Sequence, residues 1–314
     1  MTGDRAMSVP LTVIIPTRNR FETLEKCLRA LAAQKTDGND FEVLVVDDGS
    51  TDETPRSVPG ILAKAPFPGR LLSQAPGGPA RARNRGIHEA GGAILLFIGD
   101  DIFPAPDFTA HHLKSRSQDT GHPRAVIGKT RWDPELSVTP FMRCLENGIQ
   151  FSYNEMARGE VSYRYCYTSN VSVPRDFILE QGLLFDENFP HAAFEDIEWG
   201  YRLKQAGVRF HYEPDALAYH HHPVTLKQYA RRMEISGRAL AHLLSLHPGI
   251  DLKPPGPRSC WKRLFRNTRA RFREAILAHT PLFDFLSDRF GIDRERWVKS
   301  VLAYHEEKGF YYRS

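Results

Sequence analysis

The chain has 314 residues, of which 41% are hydrophobic and 25% charged, and its formal net charge is +4. That composition excludes a disordered or fibrous chain, and the length suits one large α/β domain or a smaller one carrying an extension. The basic excess is local: Lys253, Arg258, Lys262, Arg263, Arg266, Arg269, Arg271 and Arg273 follow one another with no acid between them.

The first apolar run, LTVIIP at 11 to 16, is β-branched and stopped by proline, which predicts a buried strand. Asn19 is then placed to cap a helix, with Glu22 reaching back from the third position and Phe21, Leu24, Leu28 and Leu31 at helical spacing. FEVLVVDDGSTDET at 41 to 54 repeats the plan, a strand ending in paired aspartates and a Gly-Ser turn before a helix start. APGGPARARNRGIHEAGG at 75 to 92 gives a glycine-rich loop, a basic helix and a glycine stop, and AILLFI at 93 to 98 the next strand. The pattern is that of βα units in a parallel sheet, whose carboxyl edge binds ligands.

Beyond Pro104 a helix is predicted over 107 to 118 and a strand over 124 to 128, whereas 133 to 165 is aromatic-rich and has no clear period. DIEWGYRLKQAG at 196 to 207 reads as a helix stopped by Gly207. VRFHY and ALAYH read as two short strands, and the chain after Pro223 as mainly helical, with a linker at 247 to 259. Cys27, Cys144, Cys166 and Cys260 are far apart and form no CxxC pair, as expected of reduced thiols in a cytoplasmic protein. MTGDRAMSVP lacks a signal-peptide pattern, and no stretch of about 18 apolar residues occurs, so neither secretion nor a membrane span is expected.

The chemistry concentrates where LLFIGDDIFP runs a core strand into Asp100 and Asp101. Adjacent carboxylates at a strand end call for a positive partner, and a divalent cation held against a diphosphate is one economical solution. A hydrogen-bonded turn is the other. Arg81, Arg83, Asn84 and Arg85 follow PGGP on a helix whose start suits an anion such as a diphosphate, although a solvated basic face with Asn84 tied to the backbone fits as well. Glu195 and Asp196 open the 196 to 207 helix, where the helix dipole alone would favour them.

VIIPTRNR, VVDDGSTDET, ARNRG, FIGDDIFP and FEDIEWGYRL occur in this order, and the set resembles the family 2 glycosyltransferases of the GT-A fold over residues 9 to 225. The resemblance implies an α/β GT-A fold with a mixed, mostly parallel central sheet flanked by helices, here with a helical C-terminal extension over 226 to 314. It implies inverting, metal-dependent transfer of a sugar from a nucleotide-diphosphate donor, most often UDP-linked, to a carbohydrate or lipid-linked acceptor. Matched residue by residue, Pro16, Thr17 and Arg18 line the base pocket, Asp48 binds the base edge and Asp47 braces its turn. Asp100 lies near the ribose, and Asp101 binds Mg²⁺ or Mn²⁺. Gly99 stands where the commoner form of this motif has Asp, which puts a three-acid site in doubt. Asp196 matches the base that deprotonates the acceptor, with Glu195 contacting acceptor or sugar, and two neighbouring carboxylates tend to raise one pKa toward neutrality. Asn170 is expected to shape the sugar pocket, and Gly182, Phe185 and Asp186 to form a structural turn. His220 matches the family's late metal-binding histidine within YHHHPV, a loop that solvent exposure would explain equally.

Residues 258 to 273 combine seven basic side chains with Trp261, Leu264, Phe265 and Phe272. Such a helix suits peripheral contact with an anionic membrane at its inner face, or equally an apolar stripe packed on protein. No nucleic-acid recognition motif accompanies the charge, so no nucleic-acid partner is expected. Two other functions stay open: a catalytically silent domain binding nucleotide sugar or a partner, which Gly99 favours, and a sugar nucleotidyltransferase, which FEDIEWGYRL argues against.

Overall fold

The apolar runs become strands because both faces of each are covered, as their near-continuous burial shows, and the first continues through Pro16 to Thr17 instead of stopping at the proline. A computed structural model of the chain describes residues 9–36, 40–117, 121–146, 153–190, 193–254, 260–278 and 293–311, with the side chains of all but 117 and 260–268. β1 (Leu11–Thr17), β2 (Phe41–Asp47), β3 (Gly69–Ser73) and β4 (Ile94–Ile98) are parallel, in the order β3-β2-β1-β4. Their crossovers are α1 (Phe21–Ala32), α2 (Thr54–Leu62) and α3 (Gly78–Glu89). The chain builds outward from β1 to β3, then returns to the other side of β1 with β4. The gap between the carboxyl ends of β1 and β4 is therefore a topological switch point, where open α/β sheets bind ligands.

The second half mixes directions. β5 (Ile102–Pro104), β6 (Arg124–Trp132), β7 (Gly159–Val161), β8 (Asn170–Pro174) and β9 (Arg209–His220) complete a sheet ordered β3-β2-β1-β4-β8-β6-β9-β5, with β7 paired to β9 and with α4 (Phe108–Ser117), α6 (Arg175–Glu180) and α7 (Glu195–Gln205) in the connections. β6 and β9 run parallel to the first four strands, and β5, β7 and β8 antiparallel to them. β8 is antiparallel to β4 and β6, while β6 and β9 are parallel. This is the mixed α/β architecture that the sequence leads one to expect. Leu24, Cys27, Leu28 and Leu31 of α1 close one face over Leu11, Val13, Ile15, Val43, Val45, Leu96 and Ile98. On the other face Phe97 meets Trp199 and Phe185 edge-on, at centroid distances of 5.4 and 5.5 Å.

Several local expectations are revised. VRFHY and ALAYH are one strand, β9, interrupted by a bulge: its pairing with β6 jumps from Gly128↔Glu213 to Lys129↔Leu217. Asn19 does not cap α1; it sits at φ 53 and its side chain accepts from the Thr51 amide at 2.7 Å, while Asp52 accepts from the Phe21 amide at 3.0 Å and so caps the helix from another loop. Gly207 does end α7, at φ 91, with the Gly207 and Val208 amides donating to the carbonyls of Lys204 and Leu203.

The chain divides into two compact units. The first holds the described residues through Leu136 together with Tyr153–His222, and the second holds the described residues from Ser137 to 146 and from Pro223 onward. The second unit is helical: α5 (Pro140–Glu146), α8 (Leu226–Leu246), α9 (Cys260–Leu277) and α10 (Arg294–Tyr311). α8 and α10 pack through two glycines, since a Cβ on Gly237 would run into the Glu306 carbonyl and one on Gly309 into the Glu234 carbonyl. His305 joins three helices, its Nδ1 2.7 Å from Glu234 and its Nε2 3.0 Å from Glu274. Of the basic stretch at 258 to 273, residues 258 and 259 lie outside the described residues, as does 255 to 259 of the linker expected at 247 to 259. Phe272 is 65% exposed, whereas Arg271 donates to the Tyr304 hydroxyl and Arg273 lies over the Trp297 ring. Among the described residues, no helix is long and apolar enough to cross a membrane.

Candidate active site

At the switch point, β1 ends in Thr17 and β4 leads into Asp100 and Asp101, and the Thr17 hydroxyl donates to Asp100 Oδ2 at 2.8 Å. Arg20, at the N-cap of α1, straddles both acids: its Nη1 is 3.0 Å from Asp100 Oδ1 and its Nη2 3.0 Å from Asp101 Oδ2. Burial pushes the Asp100 carboxyl up to about 6, against the pull of Arg20 and with the charge of Asp101 adding to the rise. Asp101 is also penalised by burial, but the hydrogen bond and charge of His220, with Arg20 and His222, hold it below the usual carboxylate range.

β9 delivers the histidines. His220 Nε2 lies 3.4 Å and His222 Nδ1 3.5 Å from the same Asp101 Oδ2. The two imidazoles are stacked at 5.4 Å, and Trp132 at the end of β6 stacks on His220 at 5.3 Å. His221 points elsewhere, with Nδ1 2.6 Å from Asp133 and its ring stacked on Phe103. One carboxylate oxygen and two imidazole nitrogens, all within 4.8 Å of one another, make a donor set that fits a divalent cation. Gly99 has a steric reason: a Cβ there would meet Asp101 Oδ1 at 2.8 Å, so a side chain at 99 would displace Asp101.

The bulge in β9 positions these histidines, and Asn170 holds the bulge. Its Nδ2 donates to the carbonyls of Lys129 at 3.1 Å, on β6 just past the register jump, and of Ala216 at 2.9 Å, in the bulged segment of β9. Because that nitrogen is committed to carbonyls, Asn170 Oδ1 must accept from His112 Nε2, 2.9 Å away, and His112 Nδ1 in turn accepts from the Ser172 hydroxyl at 3.0 Å. His112 is thus a neutral, fully buried ring whose pKa burial lowers to about 4. The expectation that Asn170 shapes a sugar pocket is accordingly revised: it is fully buried and its amide is committed to the bulge.

Asn84 is revised for the same reason. Its Nδ2 donates to the Phe185 carbonyl and to Glu187, both at 2.9 Å, and its Oδ1 accepts from the Phe185 amide at 2.8 Å, so it fastens α3 to the 185–187 turn rather than facing a diphosphate. Asp48 anchors the glycine loop: Oδ1 accepts from Gln74 Nε2 at 2.8 Å and the Gly77 amide at 2.7 Å, and Oδ2 from the Gly78 amide at 2.9 Å. One acceptor direction on Oδ2 is left for a ligand. Asp47 braces its turn through the Ser50 amide at 2.9 Å. Pro16 is half-buried at the end of β1, Arg18 is exposed beyond it, and Arg81 is exposed on α3, lining a cavity of about 290 Å³ with Gln74 and Arg85.

Glu195 and Asp196 begin α7, whose position against β4 is fixed by Trp199 through its stack on Phe185 at 4.3 Å and its Nε1 bond to the Leu183 carbonyl at 2.7 Å. Phe194 at the N-cap holds φ 64, a left-handed conformation uncommon for an aromatic residue, and this turn sets the direction of the two acids. Arg83 donates to Glu195 at 3.1 Å, both side chains nearly buried, and lies over the Phe185 ring. Asp196 is half-buried, with Oδ1 accepting from the Ile197 amide at 2.9 Å. Sequence reasoning missed Arg20 and Trp132, and of the histidine cluster at 220 to 222 it preferred His220 without singling out His222. The need for a cation beside Asp100 and Asp101 was the one signal pointing to Arg20.

The sequence model of "Glycosyl transferase family 2" matches residues 12–164. An uncharacterized glycosyltransferase, YfnE, of Bacillus subtilis (strain 168) is 27% identical over 69% of this chain and 66% of its own length. The validoxylamine A glucosyltransferase of Streptomyces hygroscopicus subsp. limoneus is 29% identical over 63% of this chain and 48% of its own. Residues 12–164 thus resemble glycosyl transferase family 2, in line with the ordered motifs of the sequence. The chain spans less than two thirds of the length of either relative. In fold it is similar to a mannosyltransferase of Pyrobaculum calidifontis solved with GDP-Man and Mn²⁺, with a TM-score of 0.66, 20% identity and coverage of 98% of this chain and 89% of that one. The chain, GT-A in fold, has its Asp100–Asp101 pair at the switch point of the sheet.

Proposed function

We propose that this protein is an inverting glycosyltransferase that moves a sugar from a nucleoside-diphosphate donor to a hydroxyl of a carbohydrate or lipid-linked acceptor, with 9–225 as its catalytic domain and 226–314 as an extension. The observation that carries this reading is the convergence of Thr17, Asp100, Asp101, His220 and His222 at one sheet edge. The GDP-Man and Mn²⁺ in the similar mannosyltransferase support a nucleoside-diphosphate donor and a metal.

Asp101, His220 and His222 would hold the divalent cation, and their mixed oxygen and nitrogen donors suit Mn²⁺ better than Mg²⁺. When bound, the cation supplies Lewis-acid stabilisation of the charge on the departing diphosphate. Pro16, Thr17, Arg18 and the remaining acceptor direction of Asp48 face the nucleoside, and Asp100 the ribose. Asp196 takes the proton of the acceptor hydroxyl as that oxygen bonds to the anomeric carbon, and the carbon–oxygen bond to the diphosphate breaks with its electron pair leaving on the nucleoside diphosphate. Glu195, steadied by Arg83, orients hydroxyls beside the reacting carbon.

The test is to incubate the protein with Mn²⁺ and a panel of UDP- and GDP-sugars, with candidate glycan acceptors, and to follow product configuration by NMR. A β-linked product from an α-linked donor is expected; retained configuration, or no release of nucleoside diphosphate from any donor, overturns the proposal.

A further inference from the structure

The fork of Arg20 over Asp100 and Asp101 is a counter-charge in a place that a cation also needs. The Asp101 oxygen that accepts from Arg20 Nη2 at 3.0 Å is the same Oδ2 that faces His220 and His222. A divalent ion bound by that oxygen and the two imidazoles would stand against a guanidinium on the same atom, so the two compete by direct charge repulsion. Among the described residues, Asp100 and Asp101 are the charges that hold the guanidinium where it lies. Arg20 is the N-cap of α1 and its side chain makes no capping bond, and a positive charge at a helix N-terminus is opposed by the dipole. Its side chain is 37% exposed, against 6% and 13% for the two acids, so it can leave without disturbing the core.

We infer that Arg20 is a displaceable internal counter-ion: it neutralises the acid pair until a divalent cation takes Asp101, and it then turns to the anionic diphosphate. This rests on the metal site of the proposed function and adds a thermodynamic consequence. A cation arriving alone must evict Arg20 with no new partner for it, whereas a cation arriving with a diphosphate gives the guanidinium a phosphate oxygen in place of the carboxylates. Metal and nucleoside diphosphate therefore bind with positive coupling, and Arg20 is one source of it.

The experiment measures Mn²⁺ binding by titration calorimetry and by the EPR signal of free Mn²⁺, with and without UDP or GDP. It uses the wild type, Arg20→Gln, Arg20→Lys and Asp101→Asn, each checked for native circular dichroism. Arg20→Gln is expected to bind Mn²⁺ alone about tenfold more tightly than wild type and to lose most of the enhancement that the diphosphate gives, with Arg20→Lys between them. Equal or weaker Mn²⁺ binding by Arg20→Gln overturns the inference and leaves the metal site standing. Mn²⁺ binding that is absent, or indifferent to Asp101→Asn, overturns both.

Discussion

The His112–Asn170 pair ties the acid stability of the fold to the strand that delivers the histidines. His112 has no exposure, and both its nitrogens are committed, Nε2 as donor to Asn170 and Nδ1 as acceptor from Ser172. Protonating Nδ1 would break the Ser172 bond as formed and bury a charge. In the unfolded chain the ring titrates near its ordinary 6.5, and in the fold near 4. A pKa depressed by folding contributes stability that is fully present above 6.5 and is lost as the pH falls toward 4. The gap corresponds to about 3 kcal/mol, a large part of the stability of an ordinary domain. The assay is urea unfolding from pH 7.5 to 4 for the wild type and for His112→Gln, which cannot titrate. The variant is expected to be the less stable at pH 7.5, and the difference to shrink by about 3 kcal/mol by pH 4. Parallel curves for the two proteins, or an NMR titration placing the His112 ring above 6, would refute the reasoning.

Three further outcomes follow from the geometry. Asp196→Asn should lower the transfer rate by about 10²- to 10⁴-fold while leaving Mn²⁺ and nucleotide affinity unchanged in calorimetry; an affinity change of similar size would mean that Asp196 binds ligand rather than accepting a proton. His222→Ala should weaken Mn²⁺ binding by at least about tenfold, and an unchanged affinity would leave His220 as the sole imidazole ligand. Gly237→Val should destabilise the second unit by about 1–3 kcal/mol or more, read as a lower urea midpoint with earlier proteolysis of α8 and α10, because a Cβ there meets the Glu306 carbonyl; an unaltered midpoint would mean that the helix pair tolerates separation.

The sequence showed local patterns well and long-range partners poorly. β1, β2 and β4 were readable because each is an apolar run with a sharp stop, and α7 because its period and Gly207 agree. β3 escaped notice because GRLLS is a short edge strand with only two apolar residues. β9 looked like two strands because Glu213, Pro214 and Asp215 interrupt its apolar pattern. The interruption is the bulge, held by an asparagine more than 40 residues away in sequence. Asn84 and Asn170 stand beside ligand-binding motifs, and nothing local reveals that the first fastens a turn about a hundred residues later or that the second plugs the sheet. Asp100 and Asp101 were legible as a charge problem. That Arg20, His220 and His222 answer it appears only once β1, β4 and β9 end at the same edge.

The most direct test of the account is calorimetric titration of the best donor, found among UDP- and GDP-sugars, into wild type and Asp101→Asn with Mn²⁺ or with EDTA. Donor binding is expected to need the metal and to fall by more than about tenfold in the variant. Equal affinity in Mn²⁺ and EDTA, undiminished by Asp101→Asn, would contradict a cation-bridged diphosphate at the end of β4.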